Sequence, residues 1–103
     1  MKTDELNGAA LDWAVTKAEG FDHEVTSPEW GMWGWATDWA QGGPIIEREN
    51  IGLWSEGYDW EAKIQTGAGE WLAEWGASPL IAAMRCYVVS KLGETVDVPE
   101  GLA

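Results

Sequence analysis

In the stretch from Pro79 to Val89, "PLIAAMRCYVV", Arg85 is the one charged side chain. A guanidinium folded into such surroundings must have a partner, because an uncompensated buried charge costs several kcal/mol. Two partners suit it. A carboxylate such as Glu47 or Asp38 would make a structural ion pair, whereas an anionic ligand would be held bidentately, for which arginine is the best-suited side chain. Arg48 is a second cation of this kind. Shortly before it, Gly42 and Gly43 precede Pro44. Consecutive glycines permit positive φ and can turn backbone N–H groups toward a phosphate, ahead of a helix that opens at the proline. The stretch lacks the spacing and the lysine of a phosphate-binding loop, so a plain turn accounts for it more simply.

The indoles are the next feature. Trp30, Trp33, Trp35 and Trp39 fall within ten positions, in a chain with nine tryptophans among 103 residues. One small core should not hold so many without exposing several. Exposed indoles stack on nucleobases, at roughly 1 to 3 kcal/mol per base, cage cations or anchor subunit interfaces. The cluster is therefore either core extended into a homo-oligomer interface or the lining of a ligand site. As a strand it would put Trp33 and Trp35 on one face and Trp30 and Met32 on the other, unless Gly31 or Gly34 forms a bulge.

Catalytic chemistry has little material. His23 is the only histidine, and Cys86 lies in an apolar helix where a thiol behaves as an inert small hydrophobe. Together they leave no nitrogen and sulfur set for zinc and no disulfide. Carboxylates are plentiful, but no spacing pairs two of them for acid and base work, and solvated charge explains them. No catalytic residue, metal or cofactor is expected.

The elements that must carry these residues read as follows. "TDELNGAALDWAVTKAEG" is an amphipathic helix with Thr3 as N-cap, Asp4 and Glu5 at the positive dipole end, Gly20 as the stop and a buried stripe of Leu6, Ala10, Trp13 and Ala14. "FDHEV" alternates as a half-buried strand, and "WGMWGWA" has strand character weakened by its glycines. In "TDWAQGGP", Thr37 or Asp38 caps a short helical turn. "IIERENIGLW" is either a short helix followed by a strand or one bulged strand. "YDWEAKIQ" alternates Trp60, Ala62 and Ile64 against charged neighbours and is the clearest strand, with "EWLAEW" following after the "TGAG" turn. "SPLIAAMRCYVVSKLG" has Ser78 as cap, Pro79 at the first helical position, Lys91 at the negative end and Gly93 as terminator. It is apolar nearly all round, so it should pack on the sheet as a core helix. The whole is a single α+β domain over 1–103, with an N-terminal helix, an antiparallel sheet of short strands, a C-terminal helix on that sheet and an acidic tail over 94–103.

Charge narrows the partners. Six Lys and Arg against 18 Asp and Glu give a net charge of -12 and a pI near 4.1. Polyanions are repelled at long range and the six cations are scattered, so direct DNA or RNA binding is disfavoured, although an acidic surface can imitate DNA. No run approaches the roughly 20 apolar residues of a membrane span, and the N-terminus lacks a secretory pattern. A soluble protein of a reducing cytosol is expected.

The stretches Thr37-Asp38-Trp39-Ala40-Gln41-Gly42-Gly43-Pro44-Ile45-Ile46-Glu47-Arg48-Glu49 and Pro79 through Gly93, with "ALDWAVTKAEG" at the front, resemble the NinX-type family of small phage proteins. A tryptophan, a glycine pair and "PIIE" followed by a proline-opened apolar helix make an uncommon combination. Residues 21 to 36 and 51 to 77 do not follow the pattern. The resemblance implies a phage accessory protein acting in the host cytoplasm, with no enzymatic motif and no ligand of its own to offer. By analogy of class, small phage proteins with aromatic pockets sequester nucleotide-derived signals of bacterial immunity, such as cyclic ADP-ribose isomers or cyclic dinucleotides. On that expectation a homo-oligomer would stack the base on Trp33, Trp35 and Trp39. Gly42 and Gly43 with Arg48 or Arg85 would take the phosphates, and Asp38 or Glu47 the ribose hydroxyls. The alternative is an acidic interaction protein or DNA mimic that docks onto a host nucleic-acid or defence protein. A small hydrolase that cleaves the signal, using Glu47 or His23, is a third reading.

Overall fold

The structure, a computed structural model, describes residues 1–21 and 34–102. All of the predicted "FDHEV" strand but Phe21, and most of "WGMWGWA", including His23, Trp30 and Trp33, lie outside the described residues.

Helix α3, Pro79–Leu92, is the hub of the α+β fold. Its first turn is stopped from fraying by Ser78, whose Oγ accepts the Ile81 N–H at 3.1 Å, with Pro79 fixing φ where no N–H is needed. At the other end Gly93 takes a φ of 89°. Buried side chains point from α3 in several directions, Leu80, Ala83, Met84, Tyr87 and Val88 among them, because it packs on the sheet, on helix α1, Gly8–Ala18, and on helix α2, Trp39–Glu49.

The sheet has three antiparallel strands in the order β1, Gly52–Ser55, β2, Trp60–Gln65, and β3, Trp71–Gly76. Alternation along β2 sends Trp60, Ala62 and Ile64 toward α3, in register with Ser55 and Gly76, with Leu53 and Glu74, and with Leu72. The end of β3 closes tightly on α3: a Cβ on Gly76 would sit 2.7 Å from the Ala82 nitrogen. Of the two readings of "IIERENIGLW", the helix followed by a strand is the one formed.

Helix α1 spans Gly8–Ala18, later than the sequence suggested. Thr3 is not its N-cap. Residues Thr3–Glu5 make a separate 3-10 turn, and the Thr3 hydroxyl donates instead to the Gly93 carbonyl at 2.7 Å while its N–H reaches Glu94. Asn7 holds the N-cap position. The expected stripe of Leu6, Ala10, Trp13 and Ala14 is buried, widened by Leu11 and Val15.

Helix α2 is the larger departure. It runs Trp39–Glu49 straight through Gly42, Gly43 and Pro44, so the glycine pair neither turns nor takes positive φ, and Pro44 is internal. Asp38 starts the helix by accepting the Ala40 N–H at 2.9 Å, as its residue type allowed. A proline at the sixth helical position forgoes one intrahelical bond and crowds the residue before it. Gly43 has no Cβ to be crowded. The helix ends at Asn50, left-handed at φ 54°, with the Ile51 N–H returning to the Ile46 carbonyl.

The segment after Gly93 runs back along the N-terminus. Met1 and Val96 exchange backbone hydrogen bonds, Lys2 bridges Thr95, and Val96 is buried.

Candidate binding surfaces

The residues expected to form one site are distributed over three environments. Trp33 lies outside the described residues. Trp35 belongs to the turn before α2 rather than to a strand, and it is core: 7% exposed, with its indole N–H donating to Thr16 Oγ1 at 2.9 Å. The same turn is tied to α1 by Asp12, whose Oδ1 accepts the Ala36 N–H at 3.1 Å. Burial raises the Asp12 carboxyl above its ordinary range, with the Ala36 hydrogen bond pulling the other way.

Gly42 is where α2 approaches its neighbours. A Cβ there would sit 2.3 Å from the Trp35 carbonyl oxygen and 2.6 Å from Leu80 Cδ2, and its N–H is used on the Asp38 carbonyl. A Cβ on Gly43 would instead meet the Trp39 ring, 3.9 Å from Cε3. Neither offers a phosphate cradle.

The arginines have protein partners. Arg85 does not pair with Glu47 or Asp38. Its Nε donates to the Leu6 carbonyl and its Nη1 to the Trp75 carbonyl, both at 2.8 Å, so it joins the N-terminal segment to the end of β3. Arg48 makes a two-pronged contact with Glu19, 3.1 and 2.7 Å, reaches Glu49 at 2.9 Å, and lies over the Tyr87 ring. The Tyr87 hydroxyl completes the group by donating to Glu19. Donating to the carboxylates of Glu19 and Glu49 pushes the Arg48 pKa further up. Burial pushes Glu19 up, but bonds from Arg48 and Tyr87 and the charges of Arg48 and Lys91 outweigh it, leaving this carboxyl below its ordinary range. Glu47 is exposed on α2. Cys86 is buried, its thiol pushed up to about 12 by burial and by Glu74, as expected of an unreactive core cysteine.

Two surfaces among the described residues carry exposed indoles. The first is a groove of about 340 Å³ lined by Ala36, Thr37, Trp39, Ser78, Pro79, Leu80 and Ile81. Trp39 is 54% exposed beside it, with Asp38 next in the chain. The first turns of α2 and α3 both open onto this groove, so two positive helix ends meet a lining without a charged side chain. Of the expected residues, Trp39 alone lines this groove, with Asp38 adjacent to it in the chain.

The second surface is the outer face of the sheet, outside the residues expected to form a site. It carries Trp54, Trp71 and Trp75, exposed by 47, 63 and 49%. A hollow among Trp54, Glu61, Lys63, Trp71 and Ala73 has a volume of about 670 Å³. Lys63 Nζ lies 5.4 Å from the Trp54 ring centre and 4.0 Å from Glu61 Oε1. The signal for this face was present: if Trp60, Ala62 and Ile64 point inward, Glu61 and Lys63 point outward. Likewise Trp71, Ala73 and Trp75 share one side of β3.

Helices on one face of a three-stranded antiparallel sheet, with an aromatic opposite face, define a small α+β protein. Residues 2–91 match the family model described as Bacteriophage P22, NinX, and the chain belongs to this phage family. The match contains α1, α2 and the whole sheet, and all of α3 but its last residue. A comparison with curated proteins found no match. No helix among the described residues is long and apolar enough to cross a membrane.

Proposed function

We propose that this phage accessory protein works in the host cytoplasm, without catalysis, by binding and sequestering a small nucleotide-derived immune signal of the cyclic ADP-ribose or cyclic dinucleotide kind. One observation carries the proposal: the exposed Trp39 indole stands beside an uncharged groove onto which two helix N-termini open. The indole supplies a stacking face for a base. The helix ends, with the Thr37 and Ser78 hydroxyls, supply the favourable potential and the donors that a phosphate needs. Asp38 is the neighbouring acceptor for ribose hydroxyls. Arg48 and Arg85, held by protein partners, are left out of this assignment. The groove is of the size of the smaller ligand pockets, enough for one nucleoside-sized group.

The test is to incubate the purified chain with a panel of cyclic nucleotides and ADP-ribose derivatives, remove free ligand, denature the protein and identify what it releases by mass spectrometry. One intact nucleotide should be recovered, and Trp39→Ala should reduce recovery about tenfold, the equivalent of one lost stacking contact. Release of fragments would indicate an enzyme. An unaltered panel with nothing retained would overturn the proposal and favour docking onto a host protein, the reading that the net charge of -12 supports.

A further inference from the structure

The strand register places the outer-face residues in rows. Trp54, Glu61 and Trp75 are neighbours across the three strands, and Gly52, Lys63 and Ala73 form the adjacent row. One row is large, acidic, large; the other is small, basic, small. A two-fold axis lying between the rows and running across the strands would turn a second copy face to face with the first and lay each row on the other. Trp75 then meets Ala73, Glu61 meets Lys63, and the row positions of Trp54 and Gly52 coincide. The Trp54 ring already covers Gly52, since a Cβ on Gly52 would be 2.6 Å from its Cη2. Two such rings would therefore meet across the axis, as an aromatic pair.

We propose that the chain forms a homodimer through these outer sheet faces. Facing sheets pack about 10 Å apart with strands near-aligned, which suits this geometry. Two-fold interfaces use the same patch on both copies and must be complementary to themselves, as these rows are. Charge points to a second copy as well. The chain carries -12, yet the two rows hold one cation and one anion, so the face adds no net repulsion between copies. Three half-exposed indoles on one sheet face are also the residue type that anchors interfaces. This inference does not depend on the Trp39 groove, which lies elsewhere.

The experiment is light scattering after size exclusion, with sedimentation equilibrium over a concentration series, on the full chain. The wild type should show twice the 11.3 kDa chain mass. Glu61→Lys or Lys63→Glu alone should weaken the dimer at least about tenfold, because like charges then face each other. Two restorations follow from the two-fold geometry: the double variant E61K/K63E should dimerise again, and the two single variants, mixed, should pair with each other. Ala73→Arg, which fills the hollow that receives Trp75, should leave a monomer with unchanged circular dichroism. A wild type that is monomeric throughout would overturn the proposal. So would a dimer that survives both Lys63→Glu and Ala73→Arg, or single variants that fail to pair when mixed.

Discussion

Two partly or wholly buried carboxylates, Asp12 and Glu19, respond to their surroundings in opposite directions, and that difference is measurable. Asp12 is raised: burial disfavours its charge and a single backbone N–H compensates incompletely. A group whose folded pKa lies above its unfolded one contributes stability at low pH that is lost as pH rises through the folded value. Glu19 is lowered by Arg48, Tyr87 and Lys91, so its contribution is present above the ordinary carboxylate range and is lost as pH falls through the lowered value. Asp12→Asn keeps an acceptor for the Ala36 N–H without the buried charge, and should raise Tm at pH 7. Glu19→Gln removes the anion that Arg48 grips, and should lower it. Thermal melts from pH 7 toward pH 4 should bring both variants closer to the wild type. Parallel curves at a constant offset would show that charge is not the cause. Asp12→Ala, which strands the Ala36 N–H, should cost roughly 1 to 3 kcal/mol near pH 4 and less at pH 7, where it also removes the buried charge.

Elements were legible where their own residues decide them. Ser78, Pro79, Lys91 and Gly93 bracket α3 by local chemistry, and the alternation in β2 identifies both the strand and its buried side. The helix through Gly42, Gly43 and Pro44 could not be read that way, since these three residues are ordinarily the vocabulary of turns. What keeps them helical is a long-range contact, the backbone of Trp35 and the side chain of Leu80 pressed against Gly42. The same blindness to tertiary partners spread the expected site over Trp35, Arg48 and Arg85, each of which belongs to the architecture instead. The two glycines should therefore answer differently to alanine. Gly42→Ala has a helix-propensity gain of about 1 kcal/mol but inserts a methyl where there is no room, at a cost of about 1 to 3 kcal/mol. Gly43→Ala meets only the Trp39 ring edge at 3.9 Å, and its propensity gain is offset by crowding against Pro44. Urea unfolding should find Gly42→Ala destabilised and Gly43→Ala near the wild type.

At the scale of the molecule, the fate of the indoles and the excess of acid belong to one problem. Trp13 and Trp35 are core and Trp60 is partly covered by α3, while Trp39 edges the groove and Trp54, Trp71 and Trp75 share the sheet face. Copies of a chain at -12 repel one another, and that repulsion acts through solvent over the screening length, about 30 Å at 0.01 M salt and about 10 Å at 0.1 M. Contacts within the interface are too short-ranged to be screened in the same way. Added salt should thus remove the repulsion faster than it weakens the Glu61 to Lys63 pairs, and the dimer should tighten as sodium chloride rises from about 0.01 M to about 0.1 M. Docking of an acidic protein onto a basic host surface has the reverse dependence, because there the long-range term is attractive. Sedimentation equilibrium across that salt range separates the two. Association that strengthens with salt belongs to two acidic copies meeting at a neutral aromatic face, and association that weakens would place the dominant attraction in the carboxylates instead.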